Sequence, residues 1–510
     1  MENSRTSKSI RNSIVAIFEE GATSILQFIC RTVFIYTLGK EYLGYNGLFS
    51  DILTLLSLTE LGVSTAIIYS MYKPAAEQNF KKLSALLNIY KKLYNTIGII
   101  IAIVGLCLTP FLGFFISGIS ISNEVIVIYL LYLLNSVVSY FFVYKKSILI
   151  TDQKNYIISI IYILSIGVQN LLQIIFLLIT KSFIVYLIIQ VLCTFGNNLA
   201  TSIYVDKHYP WLKEYKKEKL DKKSKENIKK NIKAMFVSKL SSAVVTSTDN
   251  ILISKFVSTI VLGIYSNYTL FTSLIRTIFG KIFEALTGSI GNLVVLETKE
   301  HVYSTFKKIW FVNFWLISFS SVSLFVCINP FIQLWAGKGY LLSMDIVIIV
   351  CVNLYMRFIR NTFLTFLDTY GLFQELRWKC IFEAVINFAV SLILVVPLKL
   401  GVFGVLLGTF ISNISTNFWY EPYLIYVKKF KVPLKEYFKQ FSVYFVVTVL
   451  TGLFLSIICN IITVFGGWIN LIIRVVVCVI CINLIYVSIF HKTYEFAYLK
   501  EIISKKIHRK

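Results

Sequence analysis

Charge is scarce in this chain. Asp, Glu, Lys and Arg make up only 15% of 510 residues, against 57% hydrophobic residues and a mean hydropathy of +0.74. An ordinary soluble domain carries about 25% charged residues, so a soluble enzyme, a disordered chain and a collagen-like fibre are all excluded. Histidine is scarcer still, with His208, His301, His491 and His508 the whole set. The nine cysteines all fall in or at the edge of apolar stretches, and Cys478-x-x-Cys481 is embedded in VVVCVICINL with no histidine beside it. That pattern reads as buried core rather than as a metal or redox centre. Long polar segments are missing too, apart from one near the middle of the chain.

What remains is a succession of apolar stretches, each about the 20 residues that cross a bilayer. Apolar length and punctuation by Gly, Pro and charge predict helices near 11–38, 42–72, 84–117, 123–146, 155–179 and 182–205. Six more follow near 231–256, 260–290, 303–329, 343–368, 377–398 and 402–427, and two close the chain near 438–462 and 467–490. The expectation is an all-α polytopic membrane protein with about fourteen spans.

The net charge of +24 invites a nucleic-acid reading, but the basic residues sit in short gaps between spans. With a cytoplasmic N-terminus, 38 Lys and Arg fall in inner loops and tails. Only Lys40, Lys181, Lys338 and Lys399 fall in outer ones. That bias places both termini in the cytoplasm and leaves no role for nucleic acid. The outer loops are too short for a folded catalytic or receptor domain. The 206–230 loop, with KEYKKEKLDKKSKENIKK, reads as a solvated linker of amphipathic helical character near anionic lipid.

Two halves superpose. NIKKNIKAMF at 227–236 answers SIRNSIVAIF at 9–18, FKKIW at 306–310 answers YKKLY at 90–94, and CINPFI at 327–332 answers CLTPFL at 107–112. The offset stays between 216 and 220. Six spans per unit is an even number, so the repeats are parallel, as in a transporter with a site between two lobes. The predicted organisation is a six-helix lobe at 1–205, a charged linker at 206–230, a second six-helix lobe at 231–430, and helices thirteen and fourteen with a basic tail at 431–510.

Residues 34–94 carry a further signal. The LG-x-x-x-LG-x-x-GLF turn, the TELG, the Y-x-P of the first inner loop and YKKLY resemble the N-terminal signature of bacterial Wzx-type oligosaccharide-lipid flippases. These belong to the multidrug/oligosaccharidyl-lipid/polysaccharide exporter superfamily. The resemblance implies a V-shaped, two-lobed transporter in the bacterial cytoplasmic membrane. It would move undecaprenyl-diphosphate-linked repeat units outward by alternating access, for O-antigen, capsule or exopolysaccharide assembly. The implied partners are that glycan and membrane lipids, with the polymerase machinery a candidate. No enzyme activity, cofactor or metal is implied, and a monomer is the expected unit. The alternatives are a cation-coupled drug antiporter of the same superfamily and a membrane polysaccharide polymerase or ligase.

Charges inside spans are the candidate site. A charge at mid-bilayer costs roughly 2.5–3.5 kcal/mol, so each is expected to face protein or a wet cavity. Glu20, Ser24, Gln27 and Arg31 form one stripe on the first helix, and Lys239, Ser242, Thr246 and Asp249 form another on the seventh. Arg31, Arg276, Arg357 and Arg360, with Lys239 and Lys281 second, are the candidate diphosphate ligands, since the guanidinium fork suits phosphate. Arg276 and Lys281 point about 140° apart on one helix. The competing role for each cation is a pair with a nearby carboxylate, Glu284 for Lys281. Glu20, Glu60 and Asp249 are candidates for gating or for coupling to an H+ or Na+ gradient, against plain salt bridging or helix packing. The 218-residue offset lays Arg31 on Asp249, which suggests an outer gate between them; the competing pairing keeps Arg31 within its own lobe, with Asp51. Most of the abundant Tyr and Phe belong to the interfacial belt or lipid face, and those lining a cavity offer faces to sugars.

Overall fold

Backbone amides inside a bilayer have no water to bond, so apolar runs of this length close their hydrogen bonds internally as helices. The computed structural model describes residues 5–500 except 58–62, 118–121, 217, 223, 227, 229–231, 233–246, 462–465 and 499. Among the described residues there is no strand. The chain gathers into two compact units, Met1–Gly263 and Ile264–Lys510.

The first unit holds α1 (Arg5–Leu38), α2 (Lys40–Leu56), α3 (Val63–Ala76), α4 (Phe80–Leu108), α5 (Asn123–Tyr140), α6 (Lys146–Thr151), α7 (Asn155–Thr180) and α8 (Phe183–His208). Local chemistry sets the ends. Asn79 Oδ1 accepts from the Lys82 amide at 3.0 Å and Ser122 Oγ from Val125 at 3.4 Å, each capping a helix start. Lys181, at φ 51°, ends α7 in a left-handed turn that leads straight into α8. Phe34, Leu48, Phe49, Ile67, Met71 and Tyr129 are buried, whereas Ile103, Leu106, Ile179 and Leu192 are exposed. A bilayer solvates such an exposed apolar surface as well as a core does.

The second unit continues α9 (Thr259–Leu296) and adds α10 (Lys299–Trp335), α11 (Met344–Phe358), α12 (Asn361–Thr369), α13 (Phe373–Val395), α14 (Gly401–Ser415) and α15 (Asn417–Pro422). A π-helical stretch, Tyr423–Phe430, leads to α16 (Leu434–Ile461) and α17 (Gly467–Phe490). α13 and α14 approach so closely that a Cβ at Gly408 would lie 2.1 Å from Ser391 Oγ. Small residues permit that approach where no hydrophobic force drives helices together. The last two helices are fastened to α10: Trp315 Nε1 donates to Asn483 Oδ1 at 2.9 Å, Ser318 bonds Thr448 at 2.6 Å and Tyr486 besides, and Phe314 stacks on Tyr444 at 4.0 Å.

Among the described residues eleven helices are long and apolar enough to cross a membrane, or twelve if the bent α9 is one span. Two of the fourteen expected spans are the exceptions. The predicted 42–72 helix is two shorter ones, α2 and α3, with residues 58–62 between them outside the described set. Of the predicted 231–256 helix, only a helical stretch at 247–256 is well described.

The start of the central linker is anchored through its backbone, while Lys213, Glu214, Lys216 and Lys219 are exposed. Ser84 Oγ donates to the Tyr215 carbonyl at 2.8 Å, Asn88 Nδ2 reaches the carbonyls of Lys216 and Glu218, and Trp211 stacks on Phe80. Its start therefore docks on the N-terminal end of α4. Further on, Asn250 Nδ2 donates to Asp51 Oδ2 at 2.8 Å, Ser254 Oγ to the Phe115 carbonyl at 3.0 Å, and the Thr259 amide to the Ser117 carbonyl at 3.1 Å. These contacts lie within the first unit, which runs to Gly263.

Candidate functional site

The polar stripe of α1 finds partners inside the first unit. α1 packs along α7 and α7 along α8, which sets Gln27 opposite the amides of Gln169, Gln190 and Asn197. With Tyr94 from α4 and Lys146 from α6 they wall a cavity of about 510 Å3. Lys146 reaches it because the chain breaks after α5: Phe142 sits at φ 64° and a tight turn, Val143–Lys145, precedes α6. The break separates two adjacent lysines. Lys145 Nζ bonds Asp206 at 2.5 Å and Ser202 at 2.8 Å, whereas among the described residues no carboxylate pairs with Lys146.

One turn further towards the C-terminal end of α7 lies a buried polar layer. Gln169 Nε2 donates to Gln173 Oε1 at 3.4 Å, and Gln173 donates to the Tyr186 carbonyl at 3.2 Å. The Cys30 thiol lies 3.8 Å from Gln173 Oε1 and 3.9 Å from the Tyr186 hydroxyl. Beyond it, Phe34 meets Phe183 and Tyr186 edge-on at 5.2 and 5.4 Å, and Phe183 meets Tyr42 at 5.4 Å. Between α6 and α7 Lys154 pairs with Asp152 at 2.6 Å, and the Tyr209 hydroxyl donates to Asp152 at 2.7 Å.

The expected cations are placed differently from one another. Arg31, half-buried, lies close enough to Tyr132 and Tyr186 for its charge to act on both phenols. Arg276 is exposed on α9, and no carboxylate pairs with it among the described residues. Lys281 does have its carboxylate, Glu284, at 3.7 Å, with both side chains more than half exposed. Arg357 is exposed on α11. Arg360, expected to offer its fork to phosphate, closes it on Glu421 instead, with Nε–Oε2 at 2.8 Å. Lys239 and Glu60 lie outside the described residues. Glu20 is half-buried on α1, where its charge acts on Tyr162, and Asp249 is half-buried in the 247–256 helix.

Lys146, Tyr94, Gln190 and Asn197 were not foreseen as site residues. Lys146 counts as one more inner-loop charge until the break at Phe142 is known. The amides of α7 and α8 were visible as polar residues within spans, but their common cavity depends on how three helices are rotated.

A family model described as "Polysaccharide biosynthesis protein" matches residues 9–287. No curated protein sequence matches the chain. Among solved structures, an inward closed conformation of the lipid II flippase MurJ is similar with a TM-score of 0.62 and 17% identity, over 94% of this chain and 99% of that one. An inward-facing MATE-family multidrug resistance transporter of the MOP superfamily aligns with a TM-score of 0.62 and 14% identity, over 79% and 95%. A MOP-superfamily transporter from Pyrococcus furiosus, described by the reverse polarity of its binding pocket, gives 0.55 and 14% over 81% and 94%. At these identities the likeness is one of fold: the chain has the fold of MOP-superfamily transporters.

Proposed function

Because the chain belongs to the polysaccharide biosynthesis protein family, we propose that it is a flippase for undecaprenyl-diphosphate-linked oligosaccharide units. It moves them from the cytoplasmic to the outer leaflet of the bacterial cytoplasmic membrane, for O-antigen, capsule or exopolysaccharide assembly. Arg276 carries this reading. It is an exposed guanidinium in a long apolar helix, without a carboxylate partner among the described residues. A charge so placed costs about 2.5–3.5 kcal/mol in a bilayer, and a diphosphate offsets that cost with bidentate, charge-assisted hydrogen bonds.

Arg31 and Arg357 complete the proposed diphosphate set, with Lys239 second. Arg360 and Lys281 drop out of it, since each already has a carboxylate. Movement is by alternating access without bond chemistry, as one molecule, with both termini in the cytoplasm on the strength of the basic bias. Glu20, Glu60 and Asp249 are the proposed groups for gating or for coupling to an H+ or Na+ gradient. A drug antiporter is disfavoured because, among the described residues, the wall of the first unit's cavity carries no acidic side chain to hold a cationic cargo.

The test is accumulation. Deleting the gene should trap intact lipid-linked repeat units on the cytoplasmic side while their synthesis continues, and the wild-type chain should restore export. Normal export in the deletion strain, or loss of synthesis itself, would overturn the reading.

A further inference from the structure

The cavity of the first unit has a chemistry that says what fits it. Its wall offers the side-chain amides of Gln27, Gln169, Gln190 and Asn197, the phenol of Tyr94 and the ammonium of Lys146, and among the described residues neither Asp, Glu nor Arg. Each amide presents two donors and one acceptor oxygen, and each phenol both donates and accepts. Apart from the Gln169–Gln173 bond, these four amides make no side-chain hydrogen bond among the described residues. A half-enclosed wall of neutral donors and acceptors matches a ligand that is itself dense in neutral donors and acceptors. Gln27 is exposed and the other three amides are half-buried, so their donors and acceptors are open to a guest, and a polyol can bond them where an apolar guest cannot.

Charge narrows the choice. Among the described residues the wall carries one lysine and no carboxylate, and Glu19 and Glu20 lie near enough to its Tyr162 for their charges to act there, so the site is close to neutral. One cation is too little for a diphosphate, which carries more negative charge and takes arginine forks. At about 510 Å3 the volume lies within the range of small-molecule sites, room for a pyranose ring with its substituents. Cys30, Gln173 and Tyr186 form a polar layer one turn beyond Gln169.

Arg31 adds a position. It lies one turn beyond Gln27 on the same stripe of α1, about 6 Å along the axis at 1.5 Å per residue. We propose that this cavity is a glycosyl subsite: it takes one neutral or singly acidic sugar of the cargo, with Lys146 facing the acidic substituent where there is one, while the diphosphate stays outside it. This deepens the flippase reading and rests on it for the identity of the cargo, but sugar binding is measurable without transport.

Cys193 lines the same cavity and supplies the probe. In purified full-length chain with the other eight cysteines replaced by serine, the rate at which a small methanethiosulfonate modifies Cys193 is followed by intact mass. Glucose, galactose, N-acetylglucosamine and glucuronate are each tested as protectants, with pyrophosphate and tetraphenylphosphonium as charge controls. At least one sugar should slow modification several-fold, the double variant Gln190→Leu/Asn197→Leu should abolish that protection, and neither control should protect. Protection by no sugar, equal protection in the double variant, or protection by pyrophosphate or the cation overturns the assignment. If the cysteine-depleted chain does not fold, the thermal midpoint of the unaltered chain with the same sugars replaces it. Stabilisation lost in the double variant supports the subsite, and no stabilisation overturns it. The accumulation assay reads the flippase function separately, so either idea can fail while the other stands.

Discussion

Arg360 grips Glu421 through two arms of its guanidinium, Nε to Oε2 at 2.8 Å and the terminal nitrogen to Oε1 at 2.5 Å. Glu421 is fully buried, Lys379 reaches the same Oε1 at 2.9 Å, and Lys379 also pairs with Glu383 at 3.2 Å. Asn417 closes the group by donating to Glu383 Oε1 at 2.6 Å. Two bases and two acids thus tie α13 and α15 to the turn between α11 and α12.

Removing one partner from such a group strands the others. Glu421→Ala leaves Arg360 and Lys379 in the interior with Glu383 as the nearest acid, and breaking a buried pair costs about 3–5 kcal/mol. The variant should melt well below the wild type in detergent, read as loss of the monodisperse peak on heating. The double change Arg360→Met/Glu421→Leu removes both charges and should recover much of the loss. A Glu421→Ala midpoint equal to wild type would mean that the network carries no stability.

Gly44 tests the close approach of α2 to the start of α9. A Cβ there would lie 2.1 Å from the Thr259 carbonyl oxygen, and one at Gly263 would lie 2.3 Å from that of Lys40. Both obstacles are backbone, so a helix must shift, and overpacking of this kind costs about 1–3 kcal/mol. Gly44→Ala and Gly263→Ala should each lower the thermal midpoint. Gly21→Ala, with nothing within 4 Å, should leave it unchanged or raise it. Equal behaviour of the three variants would remove the packing argument.

How far the sequence reached depends on the length scale of each feature. Spans announce themselves through some twenty consecutive residues, so the helices from α4 to α8 and from α10 to α17 fall close to their expected ranges. The break at Phe142 rests on a single left-handed residue that is neither Gly nor Asn, and no local pattern marks it. Pairing was legible where it was local: Glu284 lies three residues from Lys281, and the two do pair. It was illegible where it was not, since Arg360 and Glu421 are 61 residues apart. The anchoring of the linker was illegible because Ser84 and Asn88 hold its backbone carbonyls, which any sequence possesses, while its mixed charges lie exposed.

Topology follows from the basic bias and can be read one loop at a time. Lys181 ends α7, Lys338 lies in the turn after α10, and Lys213 lies in the linker, all three exposed. On a cysteine-free background, Lys181→Cys and Lys338→Cys should react with an impermeant maleimide in intact cells. Lys213→Cys should react only after the membrane is permeabilised. Labelling of Lys213→Cys in intact cells would reverse the orientation.

Arg276 and Lys281 offer the sharpest contrast for the cargo's charge, because they share a helix and differ in what they touch. Five residues on an α-helix turn them about 140° apart, so one face of α9 is tested against another. Lys281 has Glu284 within 3.7 Å in an exposed pair, and such pairs contribute about 0–1 kcal/mol. Lys281→Ala should therefore export normally. Arg276 has no carboxylate partner among the described residues, so its removal breaks no ion pair described there, and Arg276→Ala should reach the membrane in normal amount. If the guanidinium meets the diphosphate, export should fall by at least tenfold, since a bidentate charge-assisted contact is worth about 1.5–3 kcal/mol and each 1.4 kcal/mol is tenfold. Arg276→Lys keeps the charge but loses the fork and should export at an intermediate rate. Export is read as surface polysaccharide per cell, with lipid-linked intermediates measured alongside so that a block in synthesis is not mistaken for one in transport. Normal export by Arg276→Ala, at wild-type protein level, would move the diphosphate site off this helix face.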